Sequence, residues 1–388
     1  MQKAVTFPAF WFHKAFMRIA IVINTSWNIF NFRMSLIKAL LAEGHEVVAI
    51  APHDSYSQRL IDAGCRFVPV TMEKGTNPFK DIWLTWRLYR AYSRVKPDVV
   101  LHYTIKPNIY GAIAAHLAHI PSINNVSGLG TIFIKKDYIS NIALRLYKQA
   151  FQYPFKVFFQ NQDDRRLFLK HKLVRAGITE VLPGSGIDLQ EFKPMPKPDP
   201  DAPFTFLMIA RVLYEKGVAE YMEACRLLKE KYPGIKCQLL GQVDELSRFG
   251  IKQTVLDEWL ATGAVEYLGT TDDVATIIAQ ADCVVLPSYR EGTPRTLLEA
   301  AAMAKPLIAT NVPGCREVVQ QSINGLLCRV RNASDLADKM EQMLQMPPEQ
   351  LQRMGEASRQ IAETRFDVNF VIQRYLHAIN EVAKHKKV

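Results

Sequence analysis

Two doubly wound α/β domains, facing each other across a cleft, account best for this chain of 388 residues. Three observations lead there. Short apolar runs alternate with longer helix-compatible stretches, the pattern of parallel strands covered by helices on both faces. The alternation breaks at residues 193–203 (KPMPKPDPDAP), where five prolines in eleven residues exclude a helix or central strand, and then it restarts. Finally, one strand–loop–helix junction, residues 283–304, has the composition of an anion site in an open α/β sheet.

Taken in order, residues 18–24 (RIAIVIN) read as the first buried strand, followed by a loop over 25–31 and a helix over 32–42 closed by Gly44. Strands are expected at 46–51, 66–70 and 98–103 (DVVLHY), then a loop and a helix over 108–118. A strand at 121–126 and a helix over 139–153 precede the strand 156–160. Asp163 and Asp164 suit the start of the next helix. Beyond the prolines, strands are expected at 204–210 (FTFLMIA), 235–240, 265–268, 283–286, 307–310 and 325–329. Helices fall at 218–231, 274–281, 296–304, 334–345 and 367–384. The expected division is residues 1–197, residues 204–364, and a C-terminal helix within 365–388 that crosses back to the first domain. Ligands of such folds sit at the C-terminal strand edges.

Composition narrows the partners. Six cysteines with no C-x-x-C pattern suggest buried thiols rather than disulfides or zinc ligands. No run of 18 apolar residues exists, so no membrane-spanning helix is expected. Residues 1–16 (MQKAVTFPAFWFHKAF) lack a small-residue cleavage site and read as an extension or an interfacial anchor rather than a signal peptide. Residues 1–200 carry 26 Lys and Arg against 14 Asp and Glu, a net +12, whereas residues 201–388 carry a net −2. A basic half implies an anionic partner: nucleic acid, a phospholipid surface or a phosphorylated substrate. Residues 79–94 (FKDIWLTWRLYRAYSR) and 131–159 mix aromatic and basic side chains, as a membrane-adsorbing face does. Snorkelling cations on packing helices would look the same.

The chemistry concentrates in the second half. In Leu286-Pro-Ser-Tyr-Arg-Glu-Gly-Thr-Pro-Arg-Thr-Leu-Leu-Glu299, the free N–H groups of a helix start suit a diphosphate. Glu291 and Glu299 can accept hydrogen bonds from sugar or ribose hydroxyls. Arg211 ends the strand 204–210, and Lys216 follows five residues on, just before Gly217. Two cations at a strand's C-terminal edge can neutralise a diphosphate. R-x4-K and E-x7-E are each common patterns, but both fall here at strand-to-helix junctions of one sheet edge. The ligand they suit has phosphate at its centre and hydroxyls at both ends, as a nucleotide sugar does.

These residues resemble a known family. Ala210-Arg211…Lys216-Gly217, Leu286-Pro-Ser…Glu291-Gly-Thr-Pro…Leu298-Glu299-Ala300 and Asn324-Gly-Leu-Leu look like the retaining glycosyltransferases of family 4, which have the GT-B fold. Pro183-Gly-Ser-Gly-Ile-Asp188…Phe192 resembles their loop before the interdomain linker. Lys106-Pro-Asn-Ile-Tyr-Gly111 and Gly128-Leu-Gly130 resemble the branch acting on lipid-linked saccharides, nearest to bacterial N-acetylgalactosaminyltransferases. The resemblance runs from Met17 to the C terminus and is most specific in the second domain. It implies a hexosyltransferase moving a hexose, an N-acetylhexosamine such as N-acetylgalactosamine, from a UDP-sugar to a polyprenyl-diphosphate-linked saccharide. Arg211, Lys216 and Glu291 would be catalytic; Gly292, Thr293, Pro294, Arg295, Thr296 and Glu299 would bind the donor. Asn28, Arg33, Lys106 and Asn108 would meet the acceptor. No cofactor, metal or nucleic-acid partner is implied. The implied place is the cytoplasm, peripheral on the inner face of the bacterial inner membrane.

Two departures from the family stand out. Asn24-Thr-Ser-Trp-Asn28 has no glycine where many members carry two, and Ser127 stands where many carry a histidine. His102 at the end of the fourth strand reads as a general base, which would favour inversion, or as a structural histidine. His116 and His119 lack partner ligands, and Asp199-Pro-Asp201 lies in the linker, so none of these reads as a metal site. Rival readings are a UDP-sugar epimerase of the same architecture, a sugar-sensing module without turnover, and a basic nucleic-acid-binding protein, although no recognition module such as helix-turn-helix occurs.

Overall fold

A computed structural model describes residues 16–73, 75, 77–129, 138–199 and 201–386. The aromatic extension over 1–15, Gly130, Pro200 and residues 131–137 of the second aromatic-basic segment lie outside the described residues.

The first sheet holds β1 (Arg18–Val22), β2 (Glu46–Ala51), β3 (Arg66–Pro69), β4 (Val99–Tyr103), β5 (Ser122–Val126), β6 (Lys156–Phe159) and β7 (Thr179–Val181). Its order is β3-β2-β1-β4-β5-β6-β7, and every pairing is parallel. The second sheet holds β8 (Thr205–Ile209), β9 (Lys236–Leu240), β10 (Glu266–Tyr267), β11 (Cys283–Leu286), β12 (Leu307–Thr310) and β13 (Gly325–Cys328). Its order is β10-β9-β8-β11-β12-β13, again all parallel. Both faces of these strands are covered, which is why Ile, Val and Leu run continuously through β1, β2, β8 and β11 instead of alternating with polar residues. The strand order reverses between β1 and β4 in one sheet and between β8 and β11 in the other. The loops after these strands flank the crevice where open sheets hold ligands.

Several elements differ from expectation. The helix placed at 32–42 spans Ser26–Ala42. Thr25 caps it by accepting from the Asn28 N–H, and the Asp54 carboxylate takes the Ser26 and Trp27 N–H groups at 2.8 and 3.1 Å. The polar run over 25–31 is thus the helix's first turns, not a loop. The helix expected from Asn108 begins as a π-helical turn, Pro107–Gly111, before α-helix Ala112–Leu117. Edge strand β7 is only three residues long, helix Gln253–Ala261 is short and buries only Leu256 fully, and helix Pro348–Ile361 is mostly polar, so none of them stands out from the sequence.

The division at residue 197 also needs correction. Ile187 and Phe192 are buried in the core of the second domain, so the chain has crossed before the prolines begin. Proline prevents regular hydrogen bonding but not packing, and Lys197 pins the linker to Asp282 at 2.7 Å. The return crossing lies alongside: Ile187 N–H donates to Phe366 O at 2.8 Å, and Val368 N–H to Ile187 O at 3.0 Å. Helix Val368–His385 then buries Val371, Ile372, Tyr375 and Ile379 against the first domain's core. All six cysteines are buried and unpaired.

Candidate active site

The Arg211–Lys216 loop follows β8, and the 287–294 loop follows its neighbour β11, so two loops distant in sequence lie side by side. Tyr289 N–H donates to Glu215 O at 2.9 Å and ties them together. Gly217 makes the close approach possible: its φ is +75°, and a Cβ there would lie 2.2 Å from the Pro287 carbonyl oxygen. Lys216 ends the short turn Tyr214–Lys216 and so points at the partner loop. Its Nζ donates to Glu291 Oε1 at 2.5 Å, and Ser288 Oγ donates to the same oxygen at 2.7 Å. Arg211 stays 55% exposed, with Asp244 3.5 Å away.

Glu215, absent from the sequence-derived site, belongs to this group. Burial pushes its carboxyl up, against the pull of Lys216 and Arg211, while Glu291 adds repulsion. Its position directly before Lys216 was the available signal. Helix Arg295–Ala302 starts from Pro294 with no side-chain cap among the described residues; Leu297 N–H turns back to Pro294 O at 3.2 Å, so the Arg295 and Thr296 N–H groups are the donors this helix start can offer a ligand. Pro294 itself has no N–H, so it serves as the cap residue, not as a donor to phosphate. Glu299 is buried on this helix and bonds Arg295 Nε at 2.8 Å; burial raises its carboxyl, which Arg295 opposes. Arg295 reaches across the cleft, its guanidinium 5.3 Å from the Phe32 ring of the first domain. Thr296 is half-buried beside it. Gly292 and Thr293 instead face the first domain: Asn161 Nδ2 donates to Gly292 O at 2.8 Å, and Thr293 Oγ1 donates to Gln160 O at 2.9 Å.

The residues expected to meet an acceptor are scattered. Asn28 is half-buried in the first turn of helix Ser26–Ala42. Arg33 is buried, not cleft-facing; its guanidinium stacks 4.1 Å over the Tyr103 ring. Lys106 forms a 2.7 Å ion pair with buried Asp81, which also accepts from Tyr110 at 3.0 Å, so its charge is already neutralised. Asn108 is buried and donates to Asn125 O at 2.7 Å. His102 is buried as well, between the Tyr92 hydroxyl at 2.9 Å and Asn124 Oδ1 at 3.0 Å. Burial holds its pKa down to about 4, so it stays neutral and shut away from the cleft. Among the described residues no group of three or more His, Cys, Asp or Glu is placed to hold a metal ion. None of the described helices is long and apolar enough to cross a membrane.

Comparison with known proteins gives the same direction. The family model for group 1 glycosyl transferases matches residues 190–361, and the glycosyl transferase 4-like model matches residues 18–161. The chain is 30% identical over 386 residues to the N,N'-diacetylbacillosaminyl-diphospho-undecaprenol alpha-1,3-N-acetylgalactosaminyltransferase of Campylobacter jejuni, covering 95% of this chain and all of that one. It is 25% identical over 278 residues to the UDP-Gal:alpha-D-GlcNAc-diphosphoundecaprenol alpha-1,3-galactosyltransferase of Escherichia coli, covering 69% and 71% of the two. In fold it matches a glycosyltransferase from Rickettsia africae (TM-score 0.78, 19% identity, 96% and 100% coverage). It also matches Anabaena HepE solved with UDP and glucose (TM-score 0.77, 18% identity, 94% and 99% coverage). The chain belongs to the group 1 glycosyltransferases of GT-B fold and is a hexosyltransferase.

Proposed function

We propose that this hexosyltransferase moves an N-acetylhexosamine, with retained configuration and without a metal ion, from a UDP-sugar to a polyprenyl-diphosphate-linked saccharide. The observation carrying the reading is the Lys216–Glu291 ion pair where the loops after β8 and β11 meet, with the exposed Arg211 at the start of the Lys216 loop. Negative charge develops on the departing diphosphate as the anomeric carbon becomes oxocarbenium-like. Arg211, Lys216 and the first-turn N–H groups of helix Arg295–Ala302 would meet that charge, the task a divalent cation would otherwise perform. Glu291 would hold hydroxyls of the transferred sugar, and Glu299 those of the ribose. A phosphate oxygen leaving on the acceptor's side can take the acceptor's proton, so attack occurs on the face just vacated. UDP is drawn from the name of the Escherichia coli galactosyltransferase, and the lipid-linked acceptor from the names of both relatives, which print diphospho-undecaprenol substrates.

We infer that the first domain adsorbs to an anionic membrane. Helix Pro78–Val95 buries Leu84, Leu88, Tyr92 and Val95, and turns Phe79 (80% exposed), Ile82, Trp83 (57%), Trp86 and Tyr89 outward. Arg87, Arg90 and Arg94 share the helix. Aromatic side chains flanked by cations suit the boundary between lipid headgroups and acyl chains. The +12 charge of this half is compatible with attraction to lipid phosphate.

The test is a melt of the protein with UDP or GDP, followed by transfer assays with UDP-N-acetylgalactosamine and a polyprenyl-diphosphate saccharide. UDP at about 100 times its dissociation constant should stabilise the protein by about 2.7 kcal/mol. A shift with guanine nucleotides alone would contradict the donor assignment. UDP-sugar conversion without any acceptor would favour an epimerase.

A further inference from the structure

We propose that the first domain sets the working geometry of the Glu291 loop, with Asn161 and Asp164 as positioning residues. The inference rests on the donor-site reading above.

Three consecutive anchors hold this loop, and all come from residues 160–164 of the opposite domain. Before Glu291, Arg290 forms an ion pair with fully buried Asp164. After Glu291, Asn161 Nδ2 donates to Gly292 O at 2.8 Å. Next along, Thr293 Oγ1 donates to Gln160 O at 2.9 Å. The fit is at backbone distance: a Cβ on Gly292 would lie 2.2 Å from the Ser127 carbonyl oxygen of the first domain. The Glu291 side chain is held by Lys216 and Ser288 of its own domain. Glu291 N–H also donates to Pro313 O of its own domain at 3.3 Å, but the residues on either side of it are fixed by the other domain, so docking of the two domains sets where the carboxylate lies. Misplacement of such a group by an ångström costs orders of magnitude in rate, while nucleotide contacts on the second domain alone are unaffected.

Asn161 allows a clean separation of this role from stability. Its Oδ1 caps helix Gln162–Lys170 by accepting from Asp164 N at 2.8 Å, and its Nδ2 makes the interdomain bond. Serine also caps helices well, but it is too short to bridge to Gly292. Asn161→Ser should therefore melt close to wild type and keep the wild-type shift with UDP. Amide hydrogen exchange at Tyr289–Thr293 should speed up at least tenfold, and turnover of UDP-N-acetylgalactosamine should fall about tenfold or more. Asp164→Asn, which keeps the shape but removes the ion pair to Arg290, should move exchange and turnover in the same direction. Wild-type exchange and turnover in Asn161→Ser would overturn the inference, as would a lost UDP shift, since the residue would then act in binding. A wild-type protein indifferent to UDP would defeat the donor reading instead, and the exchange measurement still reads the interdomain clamp on its own.

Discussion

Across the cleft, the second domain presents its charged groups from two adjacent loops, with Arg211 half-exposed and Lys216 reaching Glu291. The first domain does the opposite. Arg33, Asn108 and His102 are buried, and Lys106 is neutralised by Asp81. The contrast follows from how each edge is built. At β8 and β11 a glycine lets two loops touch, so Lys216 and Glu291 converge from different loops beside the exposed Arg211. At β4 and β5 a π-helical turn and helix Val368–His385 cover the strand ends; Asn125 Nδ2 donates to the Tyr375 hydroxyl beneath them, while Asn108 Oδ1, Asn125 Oδ1 and Ser127 Oγ are buried without a hydrogen-bond partner among the described residues. The lesson is that a cation placed near a cleft by sequence pattern need not face it: Arg33 is buried and Lys106 is ion-paired within the first domain, whereas Arg211 stays 55% exposed at the edge of the second.

That contrast can be broken by substitution. The largest effect is expected from Lys216→Ala, which should lower kcat by about 10²–10³-fold, as loss of one preorganised charge-stabilising donor does; steady-state kinetics with saturating donor reads it. On the first-domain side, His102 should govern stability instead of rate. Its folded pKa is about 4, against about 6.5 unfolded, so between these values the unfolded chain binds more protons. Its contribution is full above pH 6.5 and is lost as pH falls towards 4, by up to about 3 kcal/mol. Denaturant melts across that range should show this slope, and His102→Gln should flatten it. Lys106→Met comes next: leaving buried Asp81 without its cation should cost about 3 kcal/mol of stability, with transfer reduced less than about tenfold. A large rate loss with an unchanged melt would place Lys106 among the substrate-binding groups and blur the contrast. The smallest effect is expected of Glu299→Gln, which should raise the donor KM about tenfold through a weakened hydrogen bond while kcat changes little.

How far the sequence reveals this arrangement depends on separation along the chain. Strands such as β1, β8 and β11 are visible because burial on both faces demands continuous apolar runs. Arg211 and Lys216 lie five residues apart, and Glu291 and Glu299 eight, so each pair can be placed from one strand-to-helix junction. What neighbours in sequence do not supply is hidden. The start of helix Ser26–Ala42 is fixed partly by Asp54, 28 residues downstream. Arg33 reads as an exposed cation until the Tyr103 ring beneath it and the returning C-terminal helix are in place. The Asn161 contact with Gly292 spans 131 residues and two domains. The only local hint is a helix start, Asn161 with Asp164 three residues on, which reads as ordinary capping.

The central claim is that Glu291, held by Lys216, acts on the sugar being transferred. It is tested most directly by Glu291→Gln, assayed for transfer from UDP-N-acetylgalactosamine alongside a UDP melt. The account predicts a loss of transfer of about 100-fold or more with the UDP-induced shift intact. Transfer at the wild-type rate would contradict it.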